Sequence, residues 1–324
     1  MIPPSVLRDC IQAATAAPSV HNTQPWLFRL RGSGLEVLAD PRRRLSTVDP
    51  DGREMYVSVG AALFNLRVAL AAQGWHERAV LVPDPQTPLL AARLELGGPA
   101  APTRAAQALA GAIGRRHTNR RPFKDLPLPT RVIAELTGAA ELEGAHLFFP
   151  DRELRDAVIS LTRTAENRLH ESPEYRTELA AWTAPGGYDR PDGMPREAFG
   201  PRAQNAAIPL RDLARGSGAP TATVIFEPHP IIALIVTSGD TPREWLQAGA
   251  ALERVWLTAT VRGLAATPLT QLTEIPSLRA LMADAKSGDV VQSVVRLGYP
   301  VGPAAATPRR PVDEVVIAEG RRPA

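Results

Sequence analysis

Gly60-Ala-Ala-Leu-Phe-Asn-Leu-Arg-Val-Ala-Leu-Ala-Ala-Gln-Gly74 lines up without gaps against Gly249-Ala-Ala-Leu-Glu-Arg-Val-Trp-Leu-Thr-Ala-Thr-Val-Arg-Gly263. Both stretches read as helices that open on small residues, which let two backbones approach closely, and both stop at a glycine suited to a left-handed cap. Two alanine-rich helices can match in this way by chance. The alternative is a duplicated unit, a homodimer fused into one chain, whose two long helices cross at an internal twofold axis. A Pro/Ala/Gly-rich stretch at 97–102 is the best internal boundary. It divides the chain into 1–102 and 103–324, both of ordinary domain size.

Outward from these helices the pattern is a mixture of helices and strands. An amphipathic helix is expected over 4–16, ended by the Pro18 turn, followed by strands Trp26–Leu30 and Leu35–Ala39 joined at Gly32-Ser-Gly. The first long helix spans 54–73, with strands near 79–82 and 91–96 after it. Helices follow at 103–114, 130–139 and 151–170, with a strand at 145–149. Residues 171–219 hold Pro173, Pro185-Gly-Gly, Pro191, Asp192-Gly, Pro195, Gly200-Pro and Gly216-Ser-Gly. So long a turn-rich stretch inside a compact chain reads as a lid or an insert. Regular structure resumes with strands near 222–226 and 231–237, helices 242–262 and 276–285, and a strand at 290–297. A strand-like 314–318 closes the chain.

The composition excludes several classes. Of 324 residues 44% are apolar and 22% charged, enough for a core and too apolar for disorder. The 24 glycines and 32 prolines show no period, so collagen-like and low-complexity readings fail. The longest apolar run, Ile231–Val236, is strand-sized, far below the roughly 18 residues of a membrane span. With no signal-peptide pattern at the N-terminus, a cytoplasmic globular protein is expected. A single cysteine, Cys10, excludes a disulfide framework and a cysteine-built metal site. The net charge is +3 and the pI about 9.4, and every basic residue except Lys124 and Lys286 is arginine. The arginines gather at three separated places, 42–44, 115–121 and 309–310. A nucleic-acid track concentrates charge on one face, so local phosphate binding is the better expectation.

Two loops could carry chemistry. Pro18-Ser-Val-His-Asn-Thr-Gln-Pro-Trp26 gathers hydrogen-bonding side chains between a helix and a strand, which fits either turn closure or a binding loop. Arg115-Arg-His-Thr-Asn-Arg-Arg-Pro-Phe123 places four arginines within seven positions. They repel one another and call for an anion, phosphate being the natural bidentate partner; a solvated basic loop is the plainer alternative. His117 inside this cluster would be a neutral donor or a packed residue. His229, between Pro228 and Pro230, is expected to be a packed turn residue. There is no dinucleotide fingerprint after a strand, no Walker loop and no paired metal-ligand spacing.

The loop at 18–26 closely resembles the P-S-x-x-N-x-Q-P-W loop of flavin-dependent nitroreductases, and Arg116-His-Thr-Asn-Arg120 resembles that family's basic FMN motif. Gly263-Leu-Ala-Ala-Thr-Pro-Leu-Thr-Gln271 is similar to its helix–Gly–turn–Pro segment, and Leu297-Gly-Tyr-Pro with Pro308-Arg-Arg-Pro to its C-terminal segment. The order differs from an ordinary nitroreductase, and the fused layout resembles the actinobacterial Acg-type FMN-binding proteins. The resemblance implies an α+β fold of two nitroreductase-like halves, each with a mainly antiparallel sheet flanked by helices. The C-terminal strand would cross over to the first half's sheet.

By the same resemblance, Arg116, His117, Thr118 and Arg120 would hold the ribityl phosphate and the pyrimidine edge of FMN, with Arg309 completing the phosphate cage. Pro18, Ser19, Val20 and Asn22 would reach the isoalloxazine ring from the opposite half. Pro268, Leu269, Thr270 and Gln271 would line the face near N5, largely through backbone groups. The halves are not equivalent. The first has the P-S-x-x-N loop but no arginine motif, and the second has the arginines but no such loop. One composite site is complete, so one FMN per chain is expected.

NAD(P)H would pass hydride to the flavin, which would reduce a nitroaromatic or quinone-type acceptor, with no protein nucleophile and no metal. Arg120 near N1 and O2 would favour the reduced anion. Two features point to the alternative of a flavin-sequestering protein. Thr270-Gln271 stands where the family has an acidic residue and a glycine. The segment 171–219, with Tyr175, Trp182, Tyr188 and Phe199, could cover the flavin. An internal pseudo-dimer makes a monomer plausible.

Overall fold

The computed structural model describes residues 2–32, 34–84, 86–183, 190–204, 208–215, 221–283 and 288–318. In chain order the first part contains α1 (Pro4–Thr15), β1 (Trp26–Arg31), β2 (Gly34–Ala39), α2 (Arg53–Ala72), β3 (Trp75–Leu81), β4 (Leu90–Pro99) and α3 (Arg104–Ile113). The second contains α4 (Thr130–Glu141), β5 (His146–Phe148), α5 (Arg152–Glu171), α6 (Pro173–Trp182), β6 (Arg202–Ala203), β7 (Thr223–Val224) and β8 (Ile231–Thr237). It continues with α7 (Pro242–Val261), β9 (Ala265–Pro268), α8 (Gln271–Glu274), α9 (Pro276–Arg279), β10 (Val290–Gly298), α10 (Val312–Val315) and β11 (Val316–Ile317).

Two sheets share one plan. The first runs β11-β1-β2-β4-β3 and the second β5-β8-β10-β9. Apart from β11, each joins its four strands in the order first, second, fourth, third, with every pair antiparallel. β11 enters the first sheet from the far end of the chain, pairing in parallel with Phe28 and Arg29 of β1. The protein is α+β.

Between the sheets lie α2 and α7, 20 residues each. Thr241 and Glu244 form a capping box at the start of α7, and Pro242 occupies the first helical position, where its missing N–H costs nothing. The Asp49 carboxylate starts α2 by accepting the N–H groups of Glu54 and Met55 at 2.9 and 2.8 Å. The helices cross at the two glycines of the internal match. A Cβ on Gly60 would collide with the Leu246 carbonyl, and one on Gly249 with the Val57 carbonyl. In the register of the match Gly60 stands for Gly249 and Val57 for Leu246, so the contact is reciprocal, as across a twofold axis. α2 is long and apolar enough to cross a membrane, a helix that counting uninterrupted apolar runs overlooked. Its side chains are instead spent on the first sheet, α1 and α7.

Several boundaries differ from the sequence reading. β3 starts at Trp75 rather than 79, and the strand expected at 222–226 shrinks to Thr223–Val224. The helix expected over 276–285 is one α-turn followed by a 3-10 turn at Ala280–Met282. Residues 265–268, read as part of a turn, form β9; Pro268 is tolerated because β9 is the edge of its sheet. The segment after α5 is no loose insert among its described residues. Tyr175, Leu179, Met194 and Phe199 are buried with Leu45 and Val48 of the first half in a cluster of their own. Tyr188 lies outside the described residues.

Candidate functional site

The loop between α1 and β1 is built on unusual backbone. His21, Asn22 and Gln24 all have positive φ (51°, 57° and 52°). Asn22 tolerates this conformation best and is held by its side chain, which donates to the Gly193 and Pro308 carbonyls at 2.8 and 3.0 Å. Its Oδ1 accepts from Arg309 at 3.0 Å. Gln24 is fixed as firmly: its N–H donates to Ser19, its amide donates to the Pro191 carbonyl, and its Oε1 accepts from the Arg310 N–H. His21 has no such support. It is buried, and neither ring nitrogen has a hydrogen-bond partner.

The arginine motif follows α3 and is pinned to the second sheet. Thr118 bridges to Ala266 of β9, the Asn119 N–H donates to the Ala266 carbonyl, and the Thr267 hydroxyl donates to the Asn119 carbonyl. This register sends alternate residues, Arg116, Thr118 and Arg120, towards the loop of the other half. Arg116 is fully buried, its guanidinium 4.6 Å from the Trp256 ring centre and 3.2 Å from Glu253. The angle to Glu253 is too poor for a hydrogen bond, so Nε and Nη1 of Arg116 remain unpartnered. The Ala16 carbonyl, at the C-terminal end of α1, accepts from both Arg116 (2.9 Å) and Arg309 (3.1 Å).

These residues line two adjoining pockets, the cavity volume about 80 Å3 in the larger and about 30 Å3 in the smaller, which share Pro18, Ser19, Thr118 and Arg120. The larger adds Val20, His21, Glu54, Ser58, Pro268, Thr270 and Gln271; the smaller adds Asn22, Arg116, His117 and Arg309. The smaller pocket is strongly positive. Burial, then repulsion from Arg116, brings the Arg309 guanidinium down to about 9; burial and Arg211 bring Arg120 down to about 10. Arg116 is lowered by burial against the pull of Glu253, and His117 by burial, Arg116 and Arg309. Burial raises the Glu253 carboxyl to about 7 despite Arg116. A cluster of cations this short of counter-charge is poised for an anion.

Of the residues singled out from sequence, Leu269 alone is not at these walls. Its side chain is buried in an apolar cluster with Leu234 and Val294, and its N–H donates to the Val294 carbonyl at 2.8 Å. The strand alternation that turns Pro268 and Thr270 to the pocket turns Leu269 to the core. Arg42, Arg43 and Arg310 are committed to partners within the chain. Arg42 pairs with Asp40, Arg43 with Asp192, and Arg310 binds Gln24 and Glu314. His229 is exposed beside Asp125, its Nδ1 3.1 Å from Oδ2, rather than packed, because its flanking prolines keep the turn at the surface.

Sequence reasoning missed His21, Glu54, Arg211 and Glu274. Arg211 donates to both Glu274 oxygens at 2.6 Å and to Thr270 at 3.0 Å, and lies against the Tyr175 ring. Glu274 comes from α8, four residues beyond Thr270, the position where an acidic residue was sought. The segment carrying Arg211 reaches across the pocket mouth from both sides. It binds Asn22 through Gly193, Arg43 through Asp192, Arg120 through the Ala198 carbonyl and Gln271 through the Pro209 carbonyl.

The Nitroreductase family model matches residues 113–299, more than half of the sequence. The chain belongs to the nitroreductase family. A Mycobacterium tuberculosis protein named "Putative NAD(P)H nitroreductase Rv3131" is 35% identical over 316 residues, 96% of this chain and 90% of its own. Another from that organism, "Putative NAD(P)H nitroreductase acg", is 29% identical over 97% of this chain and 96% of its own. A BluB-like flavoprotein from Clostridium difficile aligns structurally with a TM-score of 0.40 and 17% identity, covering 64% of this chain and 96% of that one. The family match begins at the end of α3, so in this nitroreductase-family chain the P-S-x-x-N loop lies outside the matched range yet meets the matched arginines at one site.

Proposed function

We propose that the protein is an FMN-dependent oxidoreductase with one flavin per chain, taking hydride from NAD(P)H and reducing a nitroaromatic or quinone-type acceptor. The observation that carries this reading is the meeting of two half-motifs in one cleft. The Pro18–Asn22 loop of the first half closes over Arg116, Thr118, Arg120 and Arg309, and Arg116 and Arg309 have guanidinium N–H groups without partners. Those free donors are what a phosphate requires, and the larger pocket beside them sets apolar Pro18, Val20 and Pro268 next to polar Thr118, Thr270 and Gln271, the mixture a flavin ring calls for, so the residues fit FMN. Family membership and the motif resemblance point the same way. The shared strand order and the reciprocal glycine contact support reading the chain as a fused pair of half-units with a single complete site.

When bound, the flavin supplies the hydride chemistry at N5. The chain's own residues position and exclude. Arg309 and Arg116 would hold the phosphate in the smaller pocket. Thr118 and Arg120, at the junction, would direct the ring into the larger one. Pro18 and Val20 offer an apolar wall, opposite the Pro268 and Gln271 side of the cleft.

The second reading, a flavin-sequestering protein, is favoured by the stretches 190–204 and 208–215, which hydrogen-bond to both halves and contribute Met194, Leu210, Arg211 and Leu213 to the pocket walls. The test is the visible spectrum of the purified protein, anaerobically, before and after NADPH. Prompt bleaching of a flavin band supports the reductase. A band that resists NADPH but bleaches with dithionite supports sequestration, and absence of flavin with no binding of added FMN refutes both.

A further inference from the structure

Three residues of the Pro18–Trp26 loop share an unfavourable left-handed backbone, and only two of them are compensated by the protein. A non-glycine residue at such φ costs on the order of 1–3 kcal/mol and persists where something holds it. Asn22 and Gln24 are held by the hydrogen bonds described above. His21 has the same strain, a buried ring and two unpartnered nitrogens, and it lines the larger pocket but not the phosphate-sized one. A buried polar group without a partner is itself costly. Arg211 and Arg120 flank the ring, and with burial they keep it neutral. Neutral imidazole offers one N–H donor and one acceptor. Neither is used among the described residues.

We infer that His21 is a ligand-binding residue of the larger pocket, hydrogen-bonded through its neutral ring to the polar edge of the flavin ring system rather than to the phosphate. This rests on the flavin reading above. The loop's strain then has a use: it aims a side chain into the cleft that a relaxed backbone would turn away. The partner sought is a heteroaromatic edge with both donors and acceptors, and a bare anion would not satisfy the ring.

The experiment compares FMN with riboflavin, which carries the ring without the phosphate, by fluorescence titration of flavin-free protein. His21→Leu should weaken both ligands by the same factor, about 3- to 10-fold, the worth of one net hydrogen bond. His21→Asn, which accepts positive φ and keeps a donor and an acceptor, should recover part of that loss. His21→Gly replaces the leucine variant, with the same expectation, if the latter does not fold. Riboflavin affinity unchanged within twofold, or a loss confined to FMN, overturns the assignment. Failure of the unmodified protein to bind either flavin overturns the functional reading itself, a result visible before any variant is made.

Discussion

Replacing Arg309 by methionine removes the guanidinium and keeps much of the aliphatic stem. Nη1 of Arg309 is engaged by Asn22, Thr307 and the Pro308 carbonyl, and one Nη2 hydrogen by Ala16. Nε has no partner, so the side edge of the fork, Nε–H with the second Nη2–H, is uncommitted. Two charge-assisted hydrogen bonds to a phosphate from that edge contribute about 3–4 kcal/mol, or 10²- to 10³-fold in Kd. Riboflavin, with no phosphate, should bind the variant and the original within about twofold. Titration of flavin-free protein by fluorescence quenching reads both constants. Equal losses for the two ligands, or an FMN constant unchanged within threefold, would refute the phosphate assignment.

The same residue fixes a pH signature. Burial and Arg116 bring its guanidinium from its ordinary, strongly basic value down to about 9 in the folded protein. A base lowered by folding holds fewer protons than the unfolded chain between these values. The ligand-free protein is therefore destabilised by this group below about 9 and relieved as pH rises above it. Binding of an anion runs the other way, because it needs the charged form. FMN affinity should hold near neutrality, fall above about pH 9, and fall below about pH 6 as the phosphate takes up a proton. Riboflavin affinity should show neither limb.

Gly249→Ala places a methyl against the Val57 carbonyl and should destabilise by about 3 kcal/mol or more, seen as a lower urea midpoint. Gly111→Ala, in α3 with open space around its Cβ position, should stabilise by about 0.5–1 kcal/mol; equal effects at both positions would remove the argument for a close crossing. Glu253 is raised to about 7 by burial, so its contribution is present below about pH 4.5 and lost as pH rises through 7. Glu253→Gln should flatten the decline of urea midpoints between pH 5 and 8 by on the order of 2–3 kcal/mol, and an unchanged slope would contradict that protonation state. Asp192→Ala breaks the 2.8 Å pair to Arg43 that docks the covering segment. Anaerobic stopped-flow should then show NADPH bleaching several-fold faster if that segment limits access, and an unchanged rate would remove it as a gate. Deleting the whole segment is a poorer test, because Tyr175 and Phe199 are built into the core.

What could be read from the sequence depended on how local its cause was. The α2–α7 crossing was legible because close approach needs glycine at matched places, and Gly60 and Gly249 stand at them. The arginine motif was legible because four like charges in seven positions have few uses, although Arg42 and Arg43 show that neighbouring arginines can be spent on ion pairs. β9 was hidden by Pro268, which argues against a strand unless that strand is known to be an edge. That the Leu269 side chain turns to the core was not legible, because a contiguous run of residues does not show the alternation of an extended chain. Glu253 and Arg116 lie far apart in the chain, so nothing in either neighbourhood showed that a buried carboxyl would face the cation. His21 was the hardest, since histidine between Val20 and Asn22 signals nothing until the loop's φ values and the empty shell around its ring are known. The same reasoning separates it from its neighbours: Asn22 and Gln24 are explained by partners within the chain, whereas the His21 ring has no hydrogen-bond partner among the described residues, which is why a bound ligand is sought for it.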